Sequence, residues 1–407
     1  MSNLLSKASI VLTPTAYSDG DLHCIKPNTA TGDFDFTRST TATRINSSGN
    51  VESVAANLPR IDYTGGTGSL LFEPQSTNKL THSEDFNSAA WLLSDLTATA
   101  NQINSPDGTL NASKLEMTDN GSLRNQSQMT FSDAYSYSIF VKKGNSRYVT
   151  LRSAFFTQPI VVGFDLDSET AQTDGKIENY GNDWYRLSIS KDISSDADKS
   201  GFFYMYLPNS LGGQTSVSGN FAYYYGAQIE DSTFPTSYIP TSGSTVTRNA
   251  DAANNAGSSD LINSTEGVLY AEISALVNGG VGDRYISLGS GSDINNTIQL
   301  LYHNTASRVS FFVKNSSGLF EANLSSFSFA QTDNLKIAVK YKENDFALWI
   351  NGVERATDTS GETFSVGTLQ KLQFDAGNGA SDFQGKVKCV AVYKEALTDA
   401  ELTCLTT

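Results

Sequence analysis

The chain has 407 residues, room for two or three domains, with 28 Lys+Arg against 43 Asp+Glu and a formal net charge of −15. That charge repels phosphate backbones and argues against nucleic-acid binding, and no run of about 18 apolar residues occurs, so no membrane insertion is expected. With 22 Phe, 18 Tyr and only 4 Met among abundant Gly, Ser, Thr and Asn, the composition favours short strands and tight turns over long helices.

The opening MSNLLSKASIVLTPTAYSDG carries one Lys and an apolar patch shorter than a secretory h-region. Residues 1–79 form an irregular attachment or lead-in segment. It holds one hairpin, with Ala42–Asn46 alternating, Ser47-Ser48-Gly49-Asn50 turning and Val51–Val54 returning. Its apolar residues are too few to enclose a core, so it must pack on a neighbour, either the following domain or another subunit.

Residues 80–240 carry six period-2 runs: Tyr135–Lys142, Arg147–Arg152, Ile160–Leu166, Trp184–Ile189, Phe202–Leu207 and Phe221–Ile229. Turn clusters such as Asp167-Ser168-Glu169-Thr170 and Gly181-Asn182-Asp183 separate them. Alternation on one face implies two stacked antiparallel sheets. Residues 241–260, rich in Gly, Ser, Asn and Ala, read as a linker.

Residues 261–407 repeat the pattern. Gly267–Leu276, Tyr285–Leu288, Ile298–His303, Val309–Lys314, Lys336–Tyr341 and Phe346–Ile350 are strands. Asn351-Gly352 is the strongest hairpin signal, since both residues tolerate the positive φ of a type I′ turn. Lys386–Tyr393 is the last long strand, and Thr398-Asp399-Ala400-Glu401 is a capping box opening a short helix. The predicted fold class is therefore all-β: two antiparallel β-sandwich (jelly-roll) domains in tandem after an irregular N-terminal segment.

The pairing of ALWINGVE with FQGKVKCVAVYKEALTDAEL resembles a laminin-G-like or concanavalin-A-like domain. SEDFNSAAW, GNDWYRLSIS and FAYYYGAQIEDSTFPTSYIPT resemble a carbohydrate-binding-module-like jelly roll of bacteriophage structural proteins. FDFTRSTTATRINSSGNVESVAANLPRIDY with LLFEPQSTNKL is similar to the segment that precedes such modules in phage tail and head-fibre proteins. The resemblance implies a structural protein at the virion surface. Its expected partners are other virion proteins, sister copies in a homo-oligomer such as a trimer, and host surface glycans. Two alternatives belong to other classes: a virion-associated glycan hydrolase, and a secreted bacterial carbohydrate-binding adhesin.

The residues favour adhesion over catalysis. Retaining glycosidases need two carboxylates about 5–5.5 Å apart across the scissile bond. The nearest pattern, Asp165-Leu166-Asp167-Ser168-Glu169, runs into a turn, where solvated carboxylates are the plainer reading. His23, His82 and His303 are scattered, and Cys24, Cys389 and Cys404 read as ordinary thiols, with a Cys389–Cys404 bridge as the alternative. No catalytic residue is assigned and no enzyme is expected.

Sugar binding needs aromatic faces beside polar partners. The middle unit offers Trp184, Arg186, Tyr204, Tyr206, Tyr223 and Tyr225, although a sandwich core would use the same rings. For a cofactor, Ca2+ is the one candidate. Asp283, Asp293 and Asn295 lie in oxygen-rich loops, and Asp375-Ala376-Gly377-Asn378 is a similar loop; plain turn chemistry accounts for the same residues.

Overall fold

Period-2 alternation builds the middle unit. Tyr135, Tyr137, Ile139 and Val141 point inward from the strand Ala134–Lys143, while Ser136, Ser138 and Phe140 point outward. The computed structural model, which describes residues 2–407, places this strand between Trp184–Asp192 and Phe221–Glu230 in one layer. The other layer orders Thr170–Ala171, Val161–Asp165, Tyr148–Ala154 and Ser200–Tyr206. The long strand Leu110–Asn125 joins the two. Its Ser113–Glu116 stretch pairs with Phe221–Glu230, and its Leu123–Arg124 end pairs with Ser200–Tyr206. Between the layers lies a core that includes Leu151, Phe164, Leu187, Phe203, Met205 and Tyr224. The all-β expectation is borne out.

A second sandwich forms from the C-terminal strands. One layer orders Phe320–Ser326, Val309–Lys314, Thr297–Tyr302, Arg284–Gly289 and Lys371–Gln373. The other is centred on Glu266–Ala275 and Gly385–Tyr393. The hairpin at Asn351-Gly352 has φ of 50° and 79° at its two central residues, as the turn chemistry requires. Thr398 and Glu401 form the reciprocal capping box of the helix Asp399–Thr406.

This sandwich is completed by the N-terminal segment. Along its free edge, Gly385–Tyr393 pairs with Ser69–Phe72 at its start and with Ala8–Leu12 at its end. Phe34–Thr37 pairs with Ala252–Asn254. Ile10, Leu12, Leu22, Phe34, Phe36, Leu70 and Phe72 thereby enter the C-terminal core. The same segment also reaches the middle unit. Its hairpin, Ala42–Ile45 with Val51–Val54, lies on the outer face of the first layer, where Val51 meets Phe140, Trp184, Tyr225 and Tyr238. The burial this apolar-poor segment requires is met by both sandwiches of its own chain.

Residues 241–260, expected to be a linker, are structured. Val246–Arg248 pairs with Ser76–Asn78, and Arg248, Asp251, Ala253 and Ala256 are buried. Short polar residues looked like a flexible tether because the groups that hold them lie far away in sequence. Asp251 accepts from Arg38 (2.9 Å) and Arg60, while Glu73 accepts from Arg60 (2.7 Å), Arg248 and the Ser237 hydroxyl (2.6 Å). Three guanidinium groups and two carboxylates thus lock the junction. Burial alone would raise the Glu73 carboxyl, but Arg248 and Arg60 outweigh it and hold that group down at about 2.

Candidate functional site

The six residues expected to bind sugar fall on two opposite faces of the middle sandwich. Trp184, Arg186, Tyr223 and Tyr225 point outward from the first layer, and Tyr204 and Tyr206 point outward from the second. The hairpin 42–54 and the loop at Tyr238 cover most of the first face. Trp184 is only 2% exposed and donates through Nε1 to the Asn104 carbonyl (3.1 Å), and buried Tyr225 donates to Asp107 (3.1 Å). Buried Arg186 donates through Nη2 to Ser138 (2.9 Å) with its guanidinium over the Phe140 ring. Trp184 and Tyr225 are therefore packing residues with no free ring face, a correction to their assignment as sugar platforms. Half-buried Tyr223 remains at the lip of a recess of about 440 Å³, bordered by Asn50, Asn104, Asn182 and Lys142.

Among the described residues, no strand of the N-terminal segment pairs with the second layer, and its hairpin packs on the first. On Ser200–Tyr206 the core takes Phe203 and Met205, which turns Phe202, Tyr204 and Tyr206 outward. Register sets Tyr204 opposite Arg152 on one neighbouring strand and Arg124 on the other. The Tyr204 and Tyr206 rings stand parallel, with centroids 6.0 Å apart and planes 8° apart. The Arg124 guanidinium sits 4.4 Å from the Phe202 centroid, and that of Arg152 sits 5.5 Å from the Tyr204 centroid. Phe155, 63% exposed, meets Phe202 edge-on. Tyr206 is largely buried and its hydroxyl accepts from Arg152 (3.5 Å); burial raises that phenol's pKa, so it stays a neutral hydrogen-bonding group.

Among the described residues, neither Arg124 nor Arg152 forms an ion pair with a carboxylate, although the chain carries 43 acidic side chains. Arg124 donates instead to the carbonyls of Asn125 and Gln126. Rings orient both guanidinium groups while leaving donors for a ligand, and forked donors suit carboxylate, sulfate or phosphate groups. Tyr204 and Tyr206 were legible as aromatic positions on alternating residues. Arg124 and Arg152 were not, because each belongs to another strand and only pairing register brings them together.

The carboxylate run at 165–169 is fully engaged. Arg147 grips Asp165 with two donors (2.9 and 2.6 Å) and holds its carboxyl well below the usual range. Asp167 pairs with Lys143, and Glu169 accepts from the Tyr185 hydroxyl (2.9 Å).

The metal expectation for Asp283, Asp293 and Asn295 requires one gathering of ligands, and the fold separates them. Asp283 precedes the strand Arg284–Gly289 and Asp293 follows it, so about 20 Å of extended chain lies between. Asp283 accepts from the Asn304 amide (2.7 Å) and the Tyr285 hydroxyl, and Asp293 from the Asn295 amide (3.0 Å). The Asp293 and Tyr285 contacts are local to their turns, and the Asn304 contact ties two neighbouring loops. Among the described residues, no three His, Cys, Asp or Glu side chains form a metal-sized group.

Comparison with known proteins bears on the architecture. The family model of the concanavalin A-like lectin/glucanases superfamily matches residues 272–403. The CBM40 module of Ruminococcus gnavus IT-sialidase, bound to α2,3 sialyllactose, is similar at 22% identity over 35% of this chain and 84% of that one (TM-score 0.31). A leech intramolecular trans-sialidase is similar at 21% identity over 35% of this chain and 23% of its own (TM-score 0.29). The receptor-binding domain of botulinum neurotoxin mosaic serotype C/D is similar at 10% identity over 38% and 39% (TM-score 0.29). No curated protein matches the chain.

Proposed function

We propose that this is a non-catalytic glycan-binding protein of a bacteriophage virion surface, and that the Tyr204–Tyr206 face with Arg124 and Arg152 is its principal contact. The observation that carries the reading is that face: aligned rings and two ring-oriented guanidinium groups without carboxylate partners among the described residues, on the layer of the middle sandwich away from the N-terminal hairpin. Rings give apolar contact to a pyranose, and the arginines bind hydroxyls and acidic substituents. A shallow face of this kind binds weakly. Many copies on one particle, alone or as homo-oligomers held by other virion proteins, convert weak contacts into avidity. The virion assignment rests on the similarity of residues 34–80 and of the jelly roll to phage structural proteins.

The test is glycan-array binding followed by titration calorimetry. Tyr204→Ala and Arg152→Ala should each weaken the best acidic oligosaccharide about tenfold or more without changing the melting temperature by more than a few degrees. Wild-type binding that survives both substitutions removes this face from the function. Reducing ends released from host polysaccharide would replace the non-catalytic reading with a hydrolase, and immunogold labelling confined to sites off purified particles would overturn the virion assignment.

A further inference from the structure

The opposite side of the middle sandwich holds a second feature, the cleft of about 630 Å³ where the N-terminal hairpin, the middle unit and the C-terminal unit meet. Its floor is the strand Trp184–Asp192, which turns Arg186, Ser188 and Ser190 outward in a row. Tyr180 and Phe234 flank the row, and Asn278 of the C-terminal unit faces it.

Among the described residues, the charges lining this cleft are paired except for two, Asp174 at the mouth and Arg186 on the floor. Asp62 pairs with Lys386 (2.9 Å), Glu73 with Arg60 and Arg248, Glu178 with Lys176 (2.7 Å), and Arg44 with Glu52 (2.9 Å). Asp174 is exposed at the mouth. Arg186 is 97% buried, and among the described residues no carboxylate lies within ion-pair distance of it. Glu230, the other acid close enough to influence it, is already bound by Ser76 (2.6 Å), by the Thr236 amide (3.0 Å) and by the Thr236 hydroxyl (2.5 Å). The Nε of Arg186 has no hydrogen-bond partner. A buried guanidinium without a counter-charge is costly unless something supplies one. Here it lines an open cleft wide enough for a ligand of one or two sugar rings.

We infer that this cleft is a second binding site, for a uronic-acid-type saccharide whose carboxylate pairs with Arg186. The Ser188 and Ser190 hydroxyls are placed to meet sugar hydroxyls, the Tyr180 hydroxyl holds Arg186 from the side, and the Phe234 ring offers an apolar wall. The carboxylate part of this inference stands on the charge pattern, while the saccharide part rests on the glycan-binding reading above.

The experiment measures thermal shift and calorimetric binding of D-galacturonate and D-galactose to the full chain. Galacturonate should raise the melting temperature of wild type, and galactose at equal concentration should not. Arg186→Gln should abolish the shift. Because that residue is buried, Ser190→Phe serves as a second variant, plugging the cleft from a half-buried position; it too should abolish the shift. Tyr204→Ala should leave the shift intact. Equal response to both sugars, or a galacturonate shift that persists in Ser190→Phe, overturns the inference. If the shift instead disappears in Tyr204→Ala, the acid binds on the Tyr204–Tyr206 face; the cleft inference then fails while the glycan-binding reading stands.

Discussion

Residues 261–407, expressed alone, should fail to fold although they contain every strand that the sequence pattern assigns to the C-terminal sandwich. The fragment lacks Ile10, Leu12, Leu22, Phe34, Phe36, Leu70 and Phe72, all buried in its core. At roughly 1.5–3 kcal/mol for each fully buried apolar side chain, the loss comes to about 10–20 kcal/mol, an upper figure because unfolded chains are partly compact. A whole domain is stable by only about 5–15 kcal/mol. The fragment would also expose the edge of Gly385–Tyr393 that Ser69–Phe72 and Ala8–Leu12 cover. The assay is an amide proton–nitrogen spectrum and a calorimetric melt of the fragment beside the full chain. Collapsed amide dispersion and no cooperative transition are expected. A chimera joining residues 1–79 through a short linker to 245–407 should recover both. A well-dispersed spectrum with a sharp melt from 261–407 alone would refute the argument that the N-terminal strands are part of this core.

Glu73→Gln should cost about 3–5 kcal/mol at pH 7 in urea denaturation, because Arg60 and Arg248 stay buried with less counter-charge. The folded-state pKa of Glu73 is depressed to about 2, so its contribution is present above the ordinary carboxylate range and is lost as pH falls. The gap between wild type and variant should therefore close between about pH 4.5 and 2, and a pH-independent gap would contradict this. Asp382 behaves oppositely: burial, then the neighbouring Asp375 charge, raises it to about 6. Stability should fall as pH climbs from about 4 to 6, so Asp382→Asn should gain on the order of 1 kcal/mol at pH 7.5 and nothing at pH 4, read as melting temperature.

Local chemistry was legible wherever it decided the structure. Alternation located Ala134–Lys143 and Trp184–Asp192 within a few residues, and turn residues located the hairpins at 47–50 and 351–352. Trp91–Asn104 gave no such signal. It is mostly exposed, the alternation in its LTATANQIN stretch is carried past Leu96 only by small alanines, and it is held by ladder bonds to Leu110–Asn125. The N-terminal strands were hidden for another reason. Leu70 and Val387 are neighbours across more than 300 residues, and neither sequence pattern specifies the other. The site followed the same rule: alternation showed that Tyr204 and Tyr206 share a face and that Tyr223 and Tyr225 share one. Which face stays open depends on where the hairpin 42–54 lands, and that contact is long-range.

The two candidate sites differ in what a bound ligand does to the rest of the chain. The Tyr204–Tyr206 face belongs to one layer of one sandwich, so its ligand adds stability to the folded state without touching the junction. The cleft is walled by Arg44 from the N-terminal hairpin, Arg186 from the middle unit and Asn278 from the C-terminal unit. A ligand there bridges parts that the buried Arg38–Arg60–Arg248 network already fixes. The ordering entropy of that arrangement is met in folding rather than at binding, which leaves more of the contact energy for affinity. Loosening the network with Asp251→Asn, at a member that does not line the cleft, should for that reason weaken galacturonate at the cleft while leaving acidic oligosaccharide on the Tyr204–Tyr206 face unchanged. Equal weakening at both would show that the network supports the fold as a whole and does not preorganise the cleft in particular.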